Sequence, residues 1–194
     1  MRKAAGPGVH SKVGRVDAAA TTWIVRIGGA EQYYADAKAK ESAEAAVVAC
    51  AAEGVPQDAE CFICKTSINS MPRSSEGIVR GCACRGTMGL AHVACLVRQA
   101  EMSVKEYEEW GTGEGFLKWD RCFDCGQVFH GAVFLALGWA CWKAYLGRPA
   151  DGVRCMSMGV VGTALWKGGK AEDALPVLEA NLDFRRRCWS HDES

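Results

Sequence analysis

The segment at residues 81–96 reads GCACRGTMGLAHVACL and decides how this chain folds. It holds three cysteines and one histidine as two closely spaced pairs, Cys82-x-Cys84 and His92-x2-Cys95. Thiolate sulfur and imidazole nitrogen are the ligands that Zn²⁺ prefers, and such short spacings let both members of a pair reach one ion. The segment therefore predicts metal binding rather than disulfide formation.

Two further pairs flank this segment. Cys61-x2-Cys64 lies upstream in the sequence CFIC, and Cys122-x2-Cys125 lies downstream in CFDC. The four pairs supply eight ligands, which is enough for two four-coordinate zinc sites with no position left open for water. Closed sites are typical of structural zinc, so the array favours a folding role for two Zn²⁺ ions over metal catalysis.

The composition of the whole chain fits a reducing compartment. The 194 residues include 23 basic and 23 acidic side chains, so no net field favours nucleic acid or a membrane surface. Eleven cysteines, an odd number, fit disulfide pairing poorly, and no secretory signal is recognisable. The most apolar segment, residues 131–142, is too short to span a membrane and predicts a buried helix. We expect a soluble protein of the cytoplasm or nucleus.

Outside the array, potential ligands have simpler interpretations. His130 lacks a neighbouring cysteine at ligand spacing and is interpreted as incidental. The remaining cysteines fall on predicted helix faces or in the tail and are expected to be ordinary thiols; they are Cys50, Cys141, Cys155 and Cys188.

The predicted fold class is α+β, with a small ββα unit, a zinc domain and a helical C-terminal segment. A β-branched run at residues 22–27, two glycines and residues 32–34 suggest a hairpin, and residues 41–53 predict a helix. This unit has no basic stripe, so we expect no nucleic-acid partner. The predicted boundaries are a flexible lead-in at 1–20, the ββα unit at 21–56, the zinc domain at 58–130, the helical segment at 131–187 and a tail at 188–194.

Three helices are predicted after the cysteine array, at residues 132–146, 151–166 and 171–186. GRP at residues 147–149 separates the first two, and KGGK at residues 167–170 separates the last two. Trp139, Trp142 and Tyr145 lie on the first helix and are expected to pack in a core that links the zinc domain to the last two helices.

The order of the eight ligands resembles that of RING-CH (RING-variant) zinc fingers. GCACRGT at residues 81–87 is similar to the CxCxG[ST] segment of that family, and HVACL at residues 92–96 to its HxxCL segment. PHD fingers use the same ligand order with a shorter gap before the histidine. The resemblance implies a cross-brace: one zinc held by Cys61, Cys64, His92 and Cys95, and the other by Cys82, Cys84, Cys122 and Cys125.

RING-CH domains are typically E3 ubiquitin ligases, so the resemblance implies that this domain binds a ubiquitin-charged conjugating enzyme. No residue of the chain would act as a nucleophile, because such a domain works by proximity. Partner contacts carried over by position are Ile63, Leu96, Gln99 and Phe123. Gln99 replaces a tryptophan that is common in the family, and Gly126 replaces a basic residue that often contacts ubiquitin. The alternative is a non-catalytic zinc-binding scaffold for protein interactions.

Residues 151–186 resemble a single tetratricopeptide repeat. GKAEDAL at residues 169–175 is similar to the turn of that repeat, and small residues at Gly162 and Ala174 suit a close approach of two antiparallel helices. The resemblance implies binding of a protein partner or substrate. Any amphipathic helical hairpin is the simpler alternative.

Overall fold

The computed structural model describes residues 29–66, 77–111, 115–149 and 151–189. This part of the chain forms five α-helices, one short 3₁₀-helix and one two-stranded antiparallel sheet, so the α+β class is confirmed. None of its helices has the length and apolar character needed to cross a membrane. In chain order the elements are α1 (Gly29–Ala52), β1 (Ile78–Val79), β2 (Ala91–His92), α2 (Val93–Trp110), the 3₁₀-helix (Gly115–Trp119), α3 (Gly131–Tyr145), α4 (Gly152–Lys167) and α5 (Ala171–Trp189).

The prediction of a second strand in the ββα unit is wrong. Residues 32–34 belong to α1, which begins at Gly29 and continues through the predicted helix at residues 41–53. The reason is tertiary: the Tyr34 ring meets the Trp139 ring edge-to-face at 6.0 Å, and Ala35 is fully buried beside it. Packing thus overrides the β-propensity of the tyrosines. The first predicted strand, at residues 22–27, lies outside the described residues.

Helix α3 lies at the centre of the molecule and packs against α1, α2 and α4. The three aromatic residues of its second half are buried, with exposed fractions of 4% for Trp139, 1% for Trp142 and 8% for Tyr145. At Gly138 the neighbouring helix comes so close that an added Cβ would lie 2.6 Å from the Cβ of Ala164. The predicted role of these aromatic residues in core packing is confirmed.

Helices α4 and α5 form the predicted hairpin. The amide N–H of Gly168 donates to the carbonyl of Ala164 at 2.9 Å, and Gly169 turns the chain with φ of +75°. A Cβ added at Gly162 would lie 2.6 Å from Cδ2 of Leu178, so this glycine does permit a close approach. The assignment of the hairpin to the tetratricopeptide family stays a prediction.

Helix α2 occupies much of the chain between the last two ligand pairs. It starts directly after His92 and continues to Trp110, where Gly111 ends it in the left-handed conformation. Its outer end is tied to the loop before α4, because Arg148 pairs with Glu108 at 2.7 Å and with Asp151 at 3.0 Å. The helix therefore connects the metal-ligating segment to the helical part of the molecule.

Candidate metal centre

The small sheet brings the central ligand pairs together. β1 and β2 run antiparallel, with Ile78 opposite His92 and Val79 opposite Ala91. All four residues are buried. Cys82 and Cys84 lie in the connection that follows β1, and His92 is the last residue of β2. One hairpin therefore carries ligands of both central pairs.

The two CxxC pairs lie in knuckles with the same hydrogen bonds. In the first, the Lys65 N–H donates to the carbonyl oxygen of Cys61 at 2.8 Å, and the Cys61 N–H donates to the carbonyl oxygen of Thr66 at 3.0 Å. In the second, the Gly126 N–H donates to the carbonyl oxygen of Cys122 at 2.9 Å, and the Cys122 N–H donates to the carbonyl oxygen of Gln127 at 2.9 Å. The residue after the second cysteine is left-handed in each, with φ of +58° at Lys65 and +66° at Gly126.

The first ligand group comprises Cys61, Cys64, His92 and Cys95, whose ligand atoms all lie within 4.8 Å of one another. His92 Nδ1 lies 3.5 Å from Cys64 Sγ and 3.8 Å from Cys95 Sγ. Zinc–sulfur and zinc–nitrogen bonds of about 2.3 and 2.0–2.1 Å give tetrahedral nitrogen–sulfur edges of about 3.6 Å. The observed separations fit that geometry, so these residues could hold one zinc ion.

The second ligand group comprises Cys82, Cys84, Cys122 and Cys125, again within 4.8 Å of one another. Cys84 Sγ lies 3.7 Å from Cys122 Sγ. The sulfur–sulfur edge of a tetrahedral zinc–thiolate site is about 3.8 Å. The structure therefore pairs the first ligand pair with the third and the second with the fourth, which is the cross-brace that the sequence resemblance implied.

The imidazole of His92 directs its Nδ1 atom into the first ligand group. The side chain is buried, and its Nδ1 atom faces the sulfurs of Cys64 and Cys95. Its Nε2 atom is buried without a hydrogen-bond partner among the described residues. These observations assign Nδ1 as the ligand atom.

The thiols of both groups have shifted pKa values. A hydrogen bond with Cys95 lowers the pKa of Cys61 to about 4, and the same hydrogen bond raises the pKa of Cys95. In the second group, burial raises the pKa of Cys82 to about 11. Closely spaced thiols cannot all ionise without a compensating charge, whereas a divalent cation deprotonates its sulfur ligands.

Sequence reasoning missed two supports of this centre. The Gln57 side chain accepts a hydrogen bond from Ile78 N–H at 3.1 Å and donates to the Ile78 carbonyl at 3.0 Å, so it pairs with β1 much as a strand would. Cys50 Sγ on α1 accepts from Arg80 N–H at 3.5 Å. Neither residue lies in the ligand array, and no sequence signal pointed to them.

The predicted partner-contact residues differ in accessibility. Phe123 in the second knuckle is 58% exposed, and the ammonium of Lys118 lies 3.3 Å from its ring centroid. Ile63 and Gln99 are half-buried. Leu96 is 7% exposed and packs in the core beneath α2.

Comparison with known families agrees with the geometry. Residues 61–106 match the RING-variant domain. This range contains six of the eight ligands and ends before Cys122 and Cys125, which the structure places in the second group. No curated protein and no solved structure matches the chain. The protein thus carries a RING-variant domain with two ligand groups suited to two zinc ions.

Proposed function

We propose that this protein is a RING-CH-type E3 ubiquitin ligase. Its zinc domain would bind a ubiquitin-charged conjugating enzyme, and its helices would bind a protein partner. The observation that carries the proposal is the cross-braced pair of ligand groups within a RING-variant domain. Zinc would supply folding free energy and rigidity, while the chain acts by holding the thioester close to a substrate lysine. No nucleophile of this chain is required.

In this proposal, the two CxxC knuckles provide the surface that binds the conjugating enzyme. Phe123 offers an exposed aromatic ring, and Lys118 restrains it through a cation–π contact. Ile63 offers a partly accessible aliphatic side chain in the first knuckle. Buried Leu96 would position α2, and Gln99, one turn further on, would face the partner. An exposed aromatic ring with a basic neighbour suits a protein interface.

Arg121 lies beside Gly126, the position where the chain departs from the family pattern. Its Nη1 atom donates to the carbonyl of Gly126 at 3.5 Å, and half of its side chain is exposed. We propose that Arg121 supplies, from the start of the second knuckle, the positive charge that the family usually places after the last ligand.

The first test is an autoubiquitination assay of the purified protein against a panel of conjugating enzymes, with zinc measured on the same sample. We expect ubiquitin chains with at least one enzyme, two zinc ions per chain, and loss of activity in Ile63→Ala with zinc retained. Activity that persists in Ile63→Ala would contradict the proposed surface. Two zinc ions without activity on any enzyme would contradict the ligase.

A second test concerns the position of the basic charge. Arg121→Ala should lower the ubiquitination rate about tenfold, the loss expected from one charge-assisted contact. Adding Gly126→Arg to that variant should restore the rate, because Lys65 shows that a side chain is accommodated at the corresponding left-handed position of the first knuckle. An Arg121→Ala variant with an unchanged rate would remove this residue from the proposal.

A non-catalytic zinc-binding scaffold remains the second candidate function. It is favoured by Gln99, since the family commonly has a large aromatic residue there for the conjugating enzyme. In that case the zinc domain and the α4–α5 hairpin, as a tetratricopeptide-like surface, would serve only to bind proteins. The free buried thiols of Cys50, Cys141 and Cys155 suit the reducing cytoplasm or nucleus under either function.

A further inference from the structure

An open trough lies between α1 and α2, with α3 as its floor. Its volume is about 880 Å³. Small apolar side chains line it, and several remain accessible to solvent: Val48 is 70% exposed. The apolar lining includes Ala43, Val47 and Val48 of α1, Val93 and Val97 of α2, and Ala140 of α3. The trough thus has an accessible apolar lining that an occupant would cover.

The charges along the trough differ between its two walls. On the α1 side, Asp36 pairs with Lys143 at 3.3 Å, and Lys40 approaches Glu44 at 4.0 Å. On the α2 side, Arg98 and Glu101 line the trough, and both are exposed. Neither forms an ion pair with the residues that the structure describes. The α2 wall therefore presents one positive and one negative group to an occupant, separated by one helical turn.

The trough suits a helical occupant better than an extended one. Its lining residues come from the sides of three helices, whose backbone groups are already hydrogen-bonded within each helix. An extended peptide would find no sheet edge there for its own N–H and C=O groups, whereas a helix satisfies them internally. Because alanine and valine are small, a bound helix can pack with its axis about 8–10 Å from the axes of the lining helices. From Asp36 to Val48 the wall is about 18 Å long, or roughly three turns.

We infer that this trough binds an amphipathic helix of a partner protein. The helix has an apolar stripe over about three turns, an acidic residue facing Arg98 and a basic residue facing Glu101. Val93, in the trough, lies between the ligands His92 and Cys95, so the bound helix lies directly beside the zinc domain. The inference goes beyond the proposed ligase activity and is tested without a conjugating enzyme, so the two can fail separately.

The test uses a phage-displayed library of helical peptides selected on the purified full chain. Selected peptides should share apolar residues at i, i+3 or i+4, and i+7 with the two charges, and their dissociation constants follow from fluorescence anisotropy. Val48→Glu should weaken binding at least about tenfold, the range of an interface hot spot. Ala45→Glu is the matched control, because Ala45 is exposed on the same helix outside the trough and should leave binding unchanged.

A charge reversal tests the orientation of the helix. On the double variant Arg98→Glu with Glu101→Arg, selection should yield peptides with the two charges exchanged. Failure to select helical peptides, equal binding by Val48→Glu and the parent, or selection of extended proline-containing peptides would overturn the inference. Dimerisation that Val48→Glu abolishes in analytical ultracentrifugation would also overturn it, because a second copy would then be the occupant.

Discussion

At the scale of the residue, Gly89 lets the loop of the second ligand group close. It lies between Cys84 and His92 and adopts φ of +80°. A Cβ at this position would lie 2.8 Å from Cys84 Cβ and 2.9 Å from Cys82 Sγ. Glycine therefore serves two purposes here: it takes a left-handed conformation, and it leaves room for two ligands.

Replacing Gly89 should damage the second zinc site. Gly89→Ala imposes a left-handed alanine, at a cost of about 1–2 kcal/mol, and also pushes a methyl group into the two ligands. Gly86→Ala is the matched control, since Gly86 has φ of +62° with nothing within 4 Å of an added Cβ. We expect Gly86→Ala to keep two zinc ions in elemental analysis and Gly89→Ala to lose one.

The comparison of zinc release separates strain from crowding. With a competing chelator, Gly89→Ala should release its first zinc at least about tenfold faster than Gly86→Ala, because only the former displaces sulfur atoms. Equal release by the two variants would show that backbone strain alone matters at this loop.

At the scale of the element, sequence reasoning succeeded where local chemistry dictates structure. Ligand spacing identified the eight ligands, the family resemblance implied their grouping, and the turn residues at 147–149 and 167–170 separated the three C-terminal helices. It failed for the strand at residues 32–34, because the fate of Tyr34 depends on Trp139, a residue more than a hundred positions away. The pairing of Gln57 with β1 was equally unforeseeable, since it depends on a contact across the fold.

Two buried glycines determine how closely the C-terminal helices pack. We expect the two positions to differ in how well they tolerate alanine. At Gly138 an added Cβ meets Ala164 Cβ at 2.6 Å, and alanine has no rotamer to escape into. At Gly162 it meets Cδ2 and Cγ of Leu178 at 2.6 and 2.9 Å, and this side chain can change rotamer. We expect Gly138→Ala to lower the free energy of unfolding by about 1–3 kcal/mol, and Gly162→Ala by less.

Urea denaturation followed by far-UV circular dichroism measures both effects. Gly152→Ala is the control, since nothing lies within 4 Å of an added Cβ at this first residue of α4. It should be neutral or stabilising, through the helix propensity of alanine. A Gly138→Ala variant as stable as this control would mean that α3 and α4 can separate without cost.

At the scale of the whole molecule, the metal groups and the helices share one core. Cys61, Cys82 and Cys122 are buried in the same apolar cluster as Ala46 of α1 and Phe134 of α3. A second cluster joins the other ends of α1 and α3 to α4 and α5 and contains no ligand. The bound metals should therefore stabilise helices that contribute no ligand to them.

Zinc removal should speed hydrogen exchange in the elements around the ligand groups more than in the C-terminal helices. A strong chelator can reach the exposed ligands Cys64 and Cys125, and structural zinc is worth on the order of 10 kcal/mol to a small domain. In hydrogen exchange read by mass spectrometry, we expect faster exchange in β1, α2, the last turns of α1 and the first turns of α3. Helices α4 and α5 should keep most of their protection, because most of their buried apolar residues lie in the second cluster. Added zinc should restore the original pattern; unchanged exchange in α1 and α3 after confirmed zinc loss would show that the helices hold the shared core without the metals.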